Sequence, residues 1–307
     1  MSALTVSKEE EKRLKGQGFL NNRGIDEFSA RVITVNGKVT AAQHRCMAEA
    51  AEKFGNGNLT YTTRLSVEIQ GIPYEKIEEF QEFIAKEGLE TGGTGAKVRP
   101  VVSCKGTTCQ YGLLDSYAIS EEIFRRFYKG YRQVALPHKF KIAVGGCPNN
   151  CVKPNLNDVG IIGQRIPHFD SEACKGCKKC AIEAACPNKV AKVVDGKLHI
   201  DEELCRHCGR CVGKCPFHSI PDGTYGFKIY IGGRWGKKIS HGKALNRIFT
   251  SEEEALDVIE KAILLFKDQG LKGERFAETI ERIGFENAEK QLLEKNLLER
   301  KMEILSK

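Results

Sequence analysis

The chain has 307 residues, 41% of them hydrophobic, and a net charge of +8. That length can bury a sizeable core over two or three folded units, and its apolar stretches, such as 262–266, are far too short to span a bilayer. The positive balance comes with no arginine-rich run interleaved with aromatics, so it points away from nucleic acid and toward a carboxylate-rich cofactor or a small oxyanion.

Residues 27–35 alternate as a strand, Gly37 turns the chain, and Thr40 caps a helix over 41–54 that ends at Gly55. A second strand is predicted over 59–72 and a second helix over 74–86, the order of a ferredoxin-like half-domain. The glycine-rich loop 91–100 then leads to a first cysteine pair, followed by a helix near 120–128 and a strand over 140–144. The heptapeptide from Phe140 to Gly146 is echoed from Phe227 to Gly233, which suggests two related strands of one domain and makes the cysteine-rich stretch between them an insertion. An amphipathic helix over 251–267, capped at Thr250-Ser251-Glu252-Glu253, and two charged helices out to Lys307 read as packing and surface.

Thirteen cysteines behind an N-terminus with no apolar leader argue for a soluble, cytoplasmic protein whose thiolates bind soft iron. Twelve of them form three sets of four. Cys174, Cys177, Cys180 and Cys186-Pro187 make one tight run, and Cys205, Cys208, Cys211 and Cys215-Pro216 another. Three thiolates at this spacing grip one cubane while the fourth comes from the partner run. Cys174, Cys177, Cys180 and Cys215 are therefore expected to hold one [4Fe-4S] cluster, and Cys205, Cys208, Cys211 and Cys186 a second. Zinc sites pair cysteines two by two and do not use the triple spacing. Cys104 and Cys109, with Cys147 and Cys151, form a looser set split between two loops and suited to a third cluster. His207 and His218 read as surface or hydrogen-bonding residues, and Cys46 as a buried structural thiol.

At this point the chain resembles the siroheme-containing sulfite and nitrite reductases, most of all their small anaerobic members. The carriers are Tyr61-Thr62-Thr63-Arg64, the loop from Thr91 to Gly95 with Arg99, the Cys104/Cys109 pair, Lys139-Phe140-Lys141, the stretch from Gly146 to Cys151, and the run from Asn157 to Ile161. The resemblance implies an α+β fold: a ferredoxin-like half-domain over 1–90, a siroheme and [4Fe-4S] domain over 91–165 resuming at 221–307, and an inserted two-cluster ferredoxin domain over 166–220. It implies that Cys151 also ligates siroheme iron, and that Arg64, Arg99, Lys139 and Lys141 surround the substrate face. Holding an oxyanion against electron-rich iron and protonating its departing oxygens is work suited to guanidinium and ammonium groups. Thr63, Gly93, Gly95, Lys97, Asn149 and Arg234 are the expected cofactor contacts, with Lys105 and Lys153 as further partners for the siroheme carboxylates. The sequence departs from the family in its C-x4-C spacing at Cys104 and in His138 before Lys139.

The expected enzyme is thus a sulfite reductase with siroheme and three [4Fe-4S] clusters, reducing sulfite to sulfide with six electrons that enter through the ferredoxin insertion. Nitrite reduction to ammonia by the same site is the near alternative, with Lys141 favouring sulfite because plant-type nitrite reductases tend to have asparagine at the matching place. A non-catalytic iron-sulfur electron-transfer subunit is the distant one. With no GxGxxG after a strand, reducing power is expected from outside, from a ferredoxin or from flavoprotein and iron-sulfur subunits in a homo- or hetero-oligomer.

Overall fold

The computed structural model describes residues 5–307. In chain order it runs α1 (Lys8–Gln17), β1 (Phe19–Asn21), β2 (Glu27–Val32), α2 (Ala41–Phe54), β3 (Leu59–Tyr61), β4 (Val67–Pro73), α3 (Ile77–Ala85), β5 (Val102–Ser103), α4 (Ser116–Ile123), β6 (Ile142–Gly145) and β7 (Val159–Pro167). It continues with α5 (Ala181–Ala185), β8 (Ala191–Val194), β9 (Lys197–Ile200), β10 (Gly223–Ile231), β11 (Lys243–Phe249), α6 (Glu252–Gln269), α7 (Phe276–Ile283), α8 (Phe285–Leu293), α9 (Asn296–Glu299) and α10 (Lys301–Ser306). The chain forms two compact units. One gathers the residues up to Ser103 with Ala118–Ala143 and Glu260–Lys307; the other gathers Cys104–Tyr117 and Val144–Ile259.

The first unit holds an antiparallel sheet in the order β1-β2-β4-β3. α2 and α3 supply Met47, Phe54 and Phe80 to a core shared with Phe19, Phe28 and Ile69 from the strands. Phe80 meets Phe19 and Phe54 edge-on, with ring centroids 6.1 and 5.9 Å apart. α2 has the expected bounds because Thr40 and Gln43 form a reciprocal capping box and the chain leaves the helix at Gly55. Cys46 lies in this core, where burial, ahead of the nearby carboxylates, pushes its thiol up and keeps it protonated. The strand expected over 59–72 is in fact a hairpin of β3 and β4. The Thr62 hydroxyl accepts the N–H groups of Arg64 and Ser66, both at 3.3 Å, and Leu65 turns through φ 60°, so Arg64 sits on a turn and not within a strand. A second aromatic cluster, Phe140, Phe266 and Phe276, joins the C-terminal helices to the segment before β6, with centroids 5.2–5.8 Å apart.

In the second unit β7 pairs antiparallel with β10 from Val159↔Ile231 to Pro167↔Gly223, β11 lies beyond β10, and β6 lies on the other side of β7. The echoed segments therefore become the two neighbours of one strand. Residues 168–222 leave the end of β7 and return to the start of β10 at directly paired positions. This segment has its own β8-β9 hairpin and a small core of Cys174, Ile182, Ala191, Leu198 and Ile220. Among the described residues no helix is long and apolar enough to cross a membrane.

Candidate functional site

The four basic residues singled out above all belong to the first unit, and one network of main-chain bonds holds their segments together. Arg64 Nη2 donates to the carbonyls of Pro100 (2.6 Å) and Ile142 (2.9 Å), the residues that follow Arg99 and Lys141. Arg99 donates its main-chain N–H to Phe140 at 2.8 Å, while Phe140 donates to Lys97 at 3.0 Å. Phe140 is fully buried, and by the alternation of extended chain the half-buried Lys139 and Lys141 face away from it. The Arg99 guanidinium is tied to the glycine loop: Nη1 donates to the Gly93 carbonyl and Nη2 to that of Gly95 at 2.8 Å. Gly93 (φ 71°) packs so closely that a Cβ would meet Pro100 at 2.9 Å.

Thr63 is exposed on the same turn as Arg64, and Lys97 borders a cavity of about 460 Å³ in this unit together with Gly93 and Arg132. Of the glycine loop expected to contact the cofactor, the amides of Gly92 and Gly93 are donated inside the fold, to the Arg31 carbonyl (3.0 Å) and the Tyr128 hydroxyl (3.1 Å). Burial, the largest influence, pushes Tyr128 up to about 12, so this hydroxyl stays protonated.

The looser cysteine set lies wholly in the second unit. Cys104 N–H donates to the Val144 carbonyl at 3.1 Å, Gly146 N–H to Cys104 Sγ at 3.1 Å, and Leu113 N–H to the Gly146 carbonyl at 2.8 Å. These bonds clamp the Cys104–Cys109 loop onto the Cys147–Cys151 loop. The clamp needs two glycines, since a Cβ on Gly106 would fall 2.8 Å from Gly146 Cα and one on Gly146 would fall 2.8 Å from Gly106 Cα. Ser116, fully buried, donates to the Cys104 carbonyl at 2.7 Å and accepts from Thr107 N–H at 3.3 Å. Sequence reasoning passed over Gly106 and Ser116; the glycine inside the C-x4-C loop was the available signal. The Cys147 thiol is pushed up first by burial, opposed by the Asn149 N–H, and then further by Cys104, Cys151 and Cys109. Crowded thiolates that repel one another are what an iron cubane neutralises. Cys151 is the exposed member of the four, and Cys104, Cys109 and Cys147 are half-buried. Asn149 is exposed, and Arg234 is half-buried on a turn where it exchanges main-chain bonds with Ser240 at 2.8 and 2.9 Å.

In the insertion, Cys186 borders one small cavity together with Cys205, Cys208 and Cys211. Burial pushes Cys211 up to about 11, with Cys208, Cys205 and Cys186 adding to the rise. Three cysteines of the second run and one of the first thus line the same small cavity. Burial also opposes ionisation of Cys186 and Cys215, yet main-chain N–H groups outweigh it and lower both thiols: those of Val190 and Ala191 among others at Cys186, and those of Phe217, His218 and Ser219 at Cys215, joined by the Ser219 hydroxyl.

Cys186→Ser and Cys215→Ser are each expected to cost about four irons per chain, one cluster losing its fourth ligand in each case, in an iron and sulfide assay. Retention of full iron by Cys186→Ser would remove the exchange of fourth ligands between the runs.

Residues 94–301 match the model of the nitrite and sulphite reductase 4Fe-4S domain, and residues 22–87 that of the nitrite/sulfite reductase ferredoxin-like half domain. Coenzyme F420-dependent sulfite reductase of Methanocaldococcus jannaschii is 29% identical over 77% of this chain, which spans only 37% of that protein's length. An uncharacterized protein of the same archaeon is 32% identical over 88% of this chain and 92% of its own. A subunit of the anaerobic sulfite reductase of Salmonella typhimurium is 29% identical over 43% of this chain and 42% of its own. Among solved structures, a dissimilatory sulfite reductase I superposes with a TM-score of 0.69 at 23% identity, over 88% of this chain and 69% of that one, which shows a shared fold. With one family model matched along most of its length and the other over its N-terminal part, this chain belongs to the nitrite and sulphite reductase family.

Proposed function

We propose that this chain reduces sulfite to sulfide at a siroheme coupled through Cys151 to the cluster of Cys104, Cys109 and Cys147, with electrons delivered by two further [4Fe-4S] clusters in the inserted segment. The observation that supports the reading is the contact of Gly106 with Gly146, which clamps the Cys104–Cys109 loop onto the Cys147–Cys151 loop and leaves Cys151 the exposed cysteine of the four. Bound siroheme supplies the iron at which the oxyanion is reduced. Arg64 ties the segments that carry Arg99 and Lys141 to its own turn, which supports a shared role for these charges in binding a dianion. Lys139 and Lys141 donate protons to the departing oxygens, since a lysine crowded by like charge releases its proton where an arginine does not. Each oxygen then leaves as water. The reductant comes from an external electron donor, entering at the insertion that projects from the paired ends of β7 and β10.

Sulfite is preferred over nitrite as substrate because two lysines, not lysine and asparagine, suit the more highly charged anion. Nitrite remains the second reading: the nitrite reductase [NAD(P)H] large subunit of Klebsiella oxytoca is 37% identical over 31% of this chain. Comparison of kcat/KM for the two anions under one reductant tests the preference, and nitrite ahead by a large factor overturns it. Lys141→Asn is expected to lower kcat for sulfite by about 10²-fold, the lower end of a lost proton donor, while sparing nitrite. Unchanged sulfite turnover would remove Lys141 from that role.

A further inference from the structure

The second unit contains a cavity of about 520 Å³. Cys147 of the loose set and Cys208 of the second tight run both line it, one cysteine from each. Its walls carry Arg165, Arg210 and Lys214, and no aspartate or glutamate lines it. Among the described residues none of the three side chains has an ion pair or a hydrogen-bond acceptor, and Arg165 Nε is buried without a partner.

The cations are held in place by other means. Arg165 stacks on Tyr225 and Arg210 on Tyr111, each with the guanidinium carbon 4.9 Å from the ring centroid. Stacking engages the faces of the guanidinium planes and leaves their N–H edges to meet an acceptor. The Arg165 main chain donates to the His207 carbonyl at 2.7 Å, and Gly209 (φ 68°) lies so close that a Cβ would meet Arg165 Cβ at 2.8 Å. The loop bearing Cys208 and Arg210 is thereby seated directly on the Arg165 strand. Two guanidiniums and an ammonium line one recess without a carboxylate, and the buried, unpartnered Arg165 Nε is a donor that a bound anion would satisfy.

We propose that this cavity binds a small inorganic oxyanion of the sulfate or phosphate type, hydrogen-bonded by Arg165, Arg210 and Lys214, with water filling the remaining volume. Resting on the cluster reading above, a second consequence follows. A negative charge held beside two clusters disfavours an added electron on either, so occupancy lowers their reduction potentials.

The test is calorimetric titration of sulfate, and separately of phosphate, into the anaerobically purified full chain at constant ionic strength, with sodium chloride as the control for screening. Saturable binding is expected, weakened at least tenfold in Arg210→Gln and Lys214→Gln, both at exposed positions that tolerate change, and unaltered in Lys175→Gln on the other tight run. Tighter binding of one anion identifies the physiological source of the charge. Potentiometric titration is expected to show midpoints that fall on adding the tighter anion in the parent and not in Arg210→Gln. Absence of saturable binding, or binding indifferent to both cavity variants, overturns the proposal. Iron assayed on the same samples keeps the two readings apart: a shortfall counts against the cluster assignment, while the calorimetry reads the cavity in either case.

Discussion

Cys151→Ala is expected to abolish sulfite reduction and to remove siroheme from the purified protein while about eight of about twelve cluster irons remain. The exposed Cys151 is the loose-set thiol open enough to be shared, whereas Cys104, Cys109 and Cys147 are partly enclosed by their own loops. Cys104 is further engaged by the Gly146 N–H. Loss of the shared thiolate removes both an anchor of the third cluster and the electronic contact to the macrocycle. The fall in activity should exceed the roughly 10²–10³-fold that deletion of a single charge-stabilising donor costs in other active sites. The eight cysteines of the insertion, built around a separate small core, should keep their clusters. Absorption spectra and iron analysis of the variant read both outcomes, and a Cys151→Ala protein that kept its siroheme bands would assign the macrocycle to another ligand.

Gly106→Ala is expected to act as strongly on the same cluster without touching a ligand. A methyl at this position meets Gly146 Cα and Ser116 Oγ, both at 2.8 Å, so the two cysteine loops must separate or the buried Ser116 must give up its bond to Cys104. Overpacking of this kind costs about 1–3 kcal/mol. The larger effect is on geometry, because four thiolates must meet one cubane and a small separation of the loops spoils the set. The variant should fold, retain the clusters of the insertion, and lose the third cluster together with siroheme. Thermal unfolding combined with iron content checks this, and full cofactor occupancy in Gly106→Ala would mean that the loops are not clamped through that contact.

The legible parts of the sequence are those where local chemistry decides. α2 could be bounded to the residue because Thr40, Gln43 and Gly55 set both ends. The hairpin of β3 and β4 reads as one strand because its turn contains no glycine or proline; the Thr62 hydroxyl makes it instead, by taking N–H groups that a strand would have paired. The helix expected near 120–128 starts earlier, at Ser116, where the chain is held by side-chain bonds to the first cysteine loop. The echoed strands are legible as a pair, but not that β7 would lie between them, since strand order depends on contacts distant in sequence.

At the site, the spacing of the tight runs suggests their ligand chemistry, and Cys186 borders the same small cavity as Cys205, Cys208 and Cys211. Convergence of the loose set is not written in any spacing. It rests on a contact between Gly106 and Gly146, distant in the chain, and on the buried Ser116. The roles of Arg64 and Arg99 come from family resemblance alone. Nothing local announces that both guanidiniums donate to main-chain carbonyls and so organise the lysines as well as adding charge. Arg165, Arg210 and Lys214 give no signal in the sequence because their significance is the absence of a carboxylate around a shared cavity, a property of the folded chain only.

The most direct test of the account is cofactor analysis of the chain purified without oxygen. Siroheme absorption bands together with about twelve cluster irons and matching acid-labile sulfide per chain are the predicted result. Cluster absorbance without siroheme would contradict it, leaving an iron-sulfur carrier on a reductase fold.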